Sequence, residues 1–350
     1  MNKKERQAAL ELLKKRNVVA VGFGKKKVQG LTTEKPAMVV SVKKKVPLEA
    51  LAKEDIVPAT INGQATDVVE VGGEITLRRV RPSLVKTEAY RIPSYTKRDI
   101  TFRERPAHPG CSIGHYNITA GTFGAVVYCN KTNRPMILSN NHVLANVNKG
   151  KIGDSILQPG AYDGGRESDD VIALLKDFVK IEMVGSSSCP ITKAYAKLGN
   201  FLSGIFDRHS KVYSRRDITN TVDCALAEPL MSDYVDPFIP DIGVVTGIAE
   251  PTVGMEVMKR GRTTELTRGK IDSVDNMVNV NMGDGEIAIF EGQIIISGAG
   301  GKFSAGGDSG SLILNKGRCA VGLLFAGNDS ITIGNDISNV IEALDIRFMR

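Results

Sequence analysis

Residues 1–16 carry apolar side chains at helical spacing among lysines, arginines and glutamates, which predicts an amphipathic helix with no continuous apolar segment. Two apolar runs follow, Val18-Val19-Ala20-Val21-Gly22-Phe23-Gly24 and Ala37-Met38-Val39-Val40-Ser41-Val42, each closed by three consecutive lysines. Runs of this length bounded by turn residues predict adjacent strands of a small sheet. Leu48 to Lys53 fits a short helix and Thr66 to Val71 a third strand, so residues 1–75 are expected to form a small basic α+β domain. In residues 76–110 arginines alternate with Pro82, Pro93, Pro106 and Pro109, a composition that discourages regular structure and predicts a linker open to proteolysis.

From residue 111 onward short apolar runs predominate, among them Ile137-Leu138, Val171 to Leu175, Leu312-Ile313-Leu314 and Val321 to Phe325. With 36 glycines and no tryptophan in 350 residues, they predict a mainly β chain built around two or three cores. Ile337 to Leu344 returns to helical spacing, giving a terminal helix over 336–346. Ser188-Cys189-Pro190, followed by a periodic stretch from Ile191 to Phe206, predicts another helix start.

Charge separates the two regions. Residues 1–85 hold 17 Lys and Arg against 9 Asp and Glu, a net of +8, and the other 265 residues carry a net of −1. Such a basic face suits nucleic acid or an acidic protein surface, and equally suits lysine-rich strand edges that resist aggregation. No recognition helix, stacking ladder or zinc spacing accompanies it, so a nucleic-acid partner is not expected. Five scattered cysteines, an odd number, predict reduced thiols and a cytoplasmic location. No signal peptide, membrane span, metal or cofactor is expected.

The chemistry concentrates in Gly306-Gly307-Asp308-Ser309-Gly310-Ser311. Gly307 allows the tight turn that points its own N–H and that of Ser309 at one spot, where an oxyanion would form, and Gly310 relieves crowding beyond the serine. Upstream stand His142, after the apolar run ending Ser139-Asn140-Asn141, and Asp223, before Cys224-Ala225-Leu226. Asp170 is the rival acid, less suited because it reads as a loop residue ahead of a strand. His108, His115 and His209 are read as structural.

At these residues the chain resembles the trypsin/chymotrypsin-like serine peptidases of bacterial type, whose chain order is His, Asp, Ser. The resemblance implies two Greek-key barrels, over about 111–235 and 240–335, with His142, Asp223 and Ser309 as catalytic residues, Gly307 and Ser309 as oxyanion donors, and Asp308 fixing the loop. It implies a substrate pocket near Phe303, Ser304, Phe325 and Gly327. With phenylalanine at the pocket base, the residue before the scissile bond, P1, is expected to be uncharged. The turn after Met258-Lys259-Arg260-Gly261 carries Glu265 where many relatives have glycine. Residues 1–75 resemble, more loosely, the region preceding the peptidase in narrow-leaf-type proteins; with the exposed basic linker behind them they are expected to be a regulator or a pro-segment removed by cleavage, self-processing included. The expected substrate is protein or peptide, with a regulatory partner or homo-oligomer for restraint. Two alternatives stand beside this: a catalytically silent trypsin-fold binding protein, and a nucleic-acid-associated regulator.

Overall fold

The computed structural model describes residues 1–28, 31–80, 101–184 and 219–349. Most of the expected linker and the insertion carrying Cys189 and the helix from Ile191 lie outside the described residues. Helix α1 (Lys3–Leu13) starts at a reciprocal cap: Asn2 Oδ1 accepts from the Lys4 and Glu5 N–H groups, and Glu5 Oε2 accepts from Asn2 N–H at 2.7 Å. Strands β1 (Val18–Val28), β2 (Leu31–Val42), β3 (Thr60–Ile61), β4 (Gln64–Glu70) and β5 (Thr76–Leu77) follow.

One sheet is built from β6 (Ser112–His115), β7 (Gly121–Thr122), β8 (Ala125–Cys129), β9 (Pro135–Ser139), β10 (Ser155–Leu157), β11 (Val171–Phe178) and β12 (Ala225–Pro229). The other contains β13 (Gly247–Ile248), β14 (Glu256–Gly261), β15 (Glu265–Gly283), β16 (Glu286–Gly298), β17 (Leu312–Asn315), β18 (Cys319–Gly327) and β19 (Thr332–Asp336). Within it the order β14-β17-β18-β19-β16-β15 closes through pairing of β14 with β15, making a six-stranded barrel. Helix α2 (Asn141–Leu144) follows β9, and α3 (Ile337–Leu344), capped by Asp336, returns the chain to β20 (Ile346–Arg347) on the edge of β8.

Alternation along the strands sorts side chains into separate cores. Val126, Ile137, Ala225 and Ala227 face the interior of the first sheet, with Ile113 and Phe123. Their neighbours Val127, Met136, Leu138 and Leu226 face Leu312, Leu314, Leu323, Ile337 and Val340, so the same strands form the seam with the second barrel. The barrel's own interior holds Val257, Ile271, Ile296, Ile313 and Leu324.

The N-terminal residues do not form the separate domain their composition predicts. Hairpin β15–β16 extends beyond the barrel, and β1 pairs with β15 from Ala20↔Val278 to Gly24↔Ser273. Val18 and Val21 pack with α1, Met38, Met277 and Ile289, whereas Val19 and Ala20 pack on the opposite face with Val278, Phe290 and Phe325. The boundary expected at residue 75 is absent too, because Thr76 and Leu77 are strand β5 of the same sheet. Leu48 to Asp55 forms two short 3₁₀ turns in place of a helix.

Candidate active site

His142 and Asp223 meet because β9 and β12 are antiparallel neighbours with Ser139 opposite Ala225. Three residues past Ser139 and two before Ala225 are then at the same end of the sheet. His142 Nδ1 lies 2.5 Å from Asp223 Oδ2, and the His142 backbone N–H donates to Oδ1 at 3.2 Å. Both side chains are buried. The carboxylate thereby selects the tautomer with the proton on Nδ1, leaving Nε2 as an acceptor. Nε2 is buried and has no hydrogen-bond partner among the described residues. Asp170, the rival acid, is engaged elsewhere by the Arg166 N–H and by Arg103.

Two further residues, not picked out in the sequence, hold Asp223. Asn140 Nδ2 donates to its carbonyl at 2.8 Å, and its N–H donates to Asn335 Oδ1 at 3.0 Å. Asn335 Nδ2 donates in turn to Gln293 Oε1, so the acid from the first sheet is anchored to β16 and β19 of the second.

Ser309 sits in the loop before β17, and Gly121 of β7 lies where that loop and the helix bearing His142 come together. A side chain at Gly121 of β7 would strike both Val143 and the Ser309 carbonyl. Thr122 N–H donates to Ser309 O at 2.7 Å and Thr122 Oγ1 to Gly307 O at 2.9 Å, tying the loop to the first sheet. Gly307 has φ +100°, and a side chain there would collide with Thr263. The Ser309 hydroxyl donates to the Phe325 carbonyl at 3.1 Å.

Asp308 is fully buried beneath this loop. Its carboxylate accepts from Thr263 N–H (2.8 Å), Thr264 N–H (3.1 Å), Thr264 Oγ1 (2.7 Å) and Ala305 N–H (2.8 Å). Lys259 Nζ, equally buried, is 3.5 Å away. Burial pulls the Lys259 ammonium below its ordinary pKa, against the attraction of Asp308. The Met1 ammonium pairs with Asp275 and not with this aspartate. From the sequence Lys259 carried no role beyond its place in the strand before the turn at Gly261. The turn leading back from it places Glu265 at φ +52°, a left-handed conformation at the position where glycine is usual in the resembling family.

A second, part-buried pair joins the two halves of the cleft. Asp163 accepts from Arg262 Nε at 2.9 Å and from Ser112 Oγ at 2.5 Å, with Arg262 coming from the turn after β14.

Residues 193–328 match the profile of the family described as Peptidase family S64, a stretch that includes Asp223 and Ser309. The closed six-stranded barrel and its partner sheet, two curled β sheets packed on each other, give the architecture. The chain has the chymotrypsin-like serine-peptidase fold. Among solved structures, this peptidase fold is similar to protease A of Thermobifida fusca, at 17% identity over 69% of this chain and 99% of that one, with a TM-score of 0.43. It is also similar to the Nocardiopsis protease (13% identity, 70% and 100%, TM-score 0.43) and the chymotrypsin of Cellulomonas bogoriensis (16%, 69% and 97%, TM-score 0.40). No curated protein matches the sequence.

The pocket residues named from the sequence are distributed differently from expectation. Phe303 packs in the barrel interior with Ile271, Ile296 and Ile313, so its ring is not at the base of an open pocket. The Phe325 ring faces the core against Phe290, at a centroid distance of 4.8 Å, and only its carbonyl looks into the cleft. Ser304 is buried and shares a 2.6 Å hydrogen bond with Thr332. Gly327 lies at the cleft beside Arg78: a β-carbon at 327 would stand 3.1 Å from Arg78 Nε. The Gly307 N–H, expected to face a substrate oxyanion, donates to the Arg78 carbonyl at 2.6 Å.

Proposed function

We propose that this chain is a serine endopeptidase that hydrolyses protein substrates through an acyl-enzyme, with His142, Asp223 and Ser309 as its catalytic residues. One observation carries the reading: the 2.5 Å contact between His142 Nδ1 and Asp223, which leaves Nε2 buried and without a hydrogen-bond partner among the described residues, on a helix that meets the Ser309 loop at Gly121. Rotation of the Ser309 hydroxyl from the Phe325 carbonyl to Nε2 prepares the nucleophile. His142 takes the hydroxyl proton as Ser309 attacks the carbonyl carbon, and gives it to the departing amine. Asp223 holds the imidazole and stabilises its charged form. The Gly307 and Ser309 N–H groups receive the oxyanion, in a loop kept rigid by Asp308 and Lys259. Water completes the second half-reaction, with the proton path reversed.

The reading includes a reducing, cytoplasmic setting. Cys111, Cys129, Cys224 and Cys319 are all free thiols, and burial raises the pKa of Cys111 and Cys224 into an unreactive range. Among the described residues no helix is long and apolar enough to cross a membrane. A fluorophosphonate probe tests the site: it is expected to label Ser309 in the wild type, and neither Ser309→Ala nor His142→Ala. Equal labelling of all three would discard the assignment.

A further inference from the structure

Resting on that reading, we infer that the chain's own Arg78–Arg79 peptide bond lies in the cleft as a substrate and is the first bond the site cuts. Strand β5 is laid antiparallel on β18, with Leu77 opposite Ala326 and Thr76 opposite Gly327. Strand addition of this kind is a common way for an extended peptide to be held. Arg78 N–H continues the pairing onto the Phe325 carbonyl at 3.1 Å, the same oxygen that accepts the Ser309 hydroxyl at 3.1 Å. Its carbonyl then turns to the Gly307 N–H at 2.6 Å, the donor assigned to the oxyanion. These contacts fix one register, in which Arg78 occupies the P1 position.

The downstream side agrees. Arg79 and Val80 line a cavity together with Ala120, His142 and Val143, so the nitrogen that must leave is on the side of the proton donor. A β-carbon at Gly306 would collide with the Arg79 carbonyl, and Val80 is only 8% exposed, so both flanks of the bond are enclosed. Arg78 itself is 8% exposed with its Nε against Gly327. An arginine thus fills the place for which an uncharged residue was expected, an expectation that depended on Phe303 forming a base it does not form.

In the first step Ser309 Oγ bonds to the Arg78 carbonyl carbon and the Arg78–Arg79 C–N bond breaks, with the hydroxyl proton passing through His142 to the Arg79 nitrogen. Water then hydrolyses the Arg78 ester, regenerating the Ser309 hydroxyl and leaving an Arg78 carboxylate. Residues 1–78 remain bound after the cut, because α1, β1 and β2 share two cores with the β15–β16 hairpin.

The test incubates the full chain and follows intact mass, N-terminal sequence and native gel filtration. Wild type is expected to yield fragments 1–78 and 79–350 that co-elute, Ser309→Ala to stay whole, Arg78→Lys to be cut within about tenfold of the wild-type rate, and Arg78→Glu to be slowed roughly 100-fold or more. Cutting at another bond, or equal cutting of Ser309→Ala, overturns the inference. So does a whole wild-type chain when Arg78→Glu, its cleft freed, is labelled by the fluorophosphonate; the hydrolase reading then survives. If no variant is cut and none is labelled, both readings fall.

Discussion

Replacing Lys259 by methionine removes the only cation placed within 4 Å of the Asp308 carboxylate among the described residues, while keeping most of the side-chain volume. A buried charge left without its partner costs about 3–5 kcal/mol. Asp308→Asn creates the opposite fault, a buried ammonium facing an amide, and also leaves one acceptor oxygen where two now serve four donors. In the double variant no charge is buried, and only the mismatched hydrogen bonds remain, worth about 2–3 kcal/mol. The two single variants together therefore cost at least about 6 kcal/mol in stranded charge, and the double variant is expected to lose at least about 3 kcal/mol less than that sum, as read from urea unfolding at neutral pH. The pH dependence has a definite sign. Lys259 binds its proton less tightly folded than unfolded, because burial lowers its folded pKa. Its contribution to stability therefore rises with pH from that lowered value up to the ordinary lysine pKa near ~10.4 and is fully present above it. Lys259→Met should lack this rise. Single-variant costs that add to within about 0.5 kcal/mol would refute the pair as the brace of the loop.

Asp223→Asn, nearly isosteric, is expected to lower peptidase kcat by about 10⁴-fold with the secondary structure unchanged, because the amide no longer selects the Nδ1–H tautomer; circular dichroism and steady-state kinetics on a peptide substrate check it. Arg262→Met should destabilise the chain by about 3 kcal/mol by stranding Asp163, and the double variant Arg262→Met/Asp163→Leu should recover most of that loss in thermal unfolding.

The residues that were legible in the sequence are those whose chemistry is decided by near neighbours. A serine between glycines after an aspartate specifies its own turn, and an apolar run ending in small polar residues specifies where His142 stands. The choice of Asp223 over Asp170 also came from adjacent residues, and the pairing of β9 with β12 is what gives it geometry. The buried Lys259 was hidden because its partner is 49 positions away, so that only the fold reveals an ammonium pulled out of water.

The N-terminal misreading has a more specific cause. Lysine-rich turns and a change of net charge looked like a boundary, yet Val18-Val19-Ala20-Val21 is apolar at every position, where a strand with one solvated face would alternate. That run was the available signal: Val18 and Val21 fill one core while Val19 and Ala20 fill another. Once β1 is locked to β15, only Val71 to Ile75 separates β4 from β5, and β5 is held from both sides by β15 and β18. Val71, Ile75 and Leu77 are buried with Phe290 and Phe325, the residue whose carbonyl serves the cleft. The path of residues 76–80 along β18 and the Gly306-Gly307 turn is therefore a consequence of how the basic segment packs. Its removal would uncover the back of β18 as well as the cleft, which couples the sheet extension to access to the site.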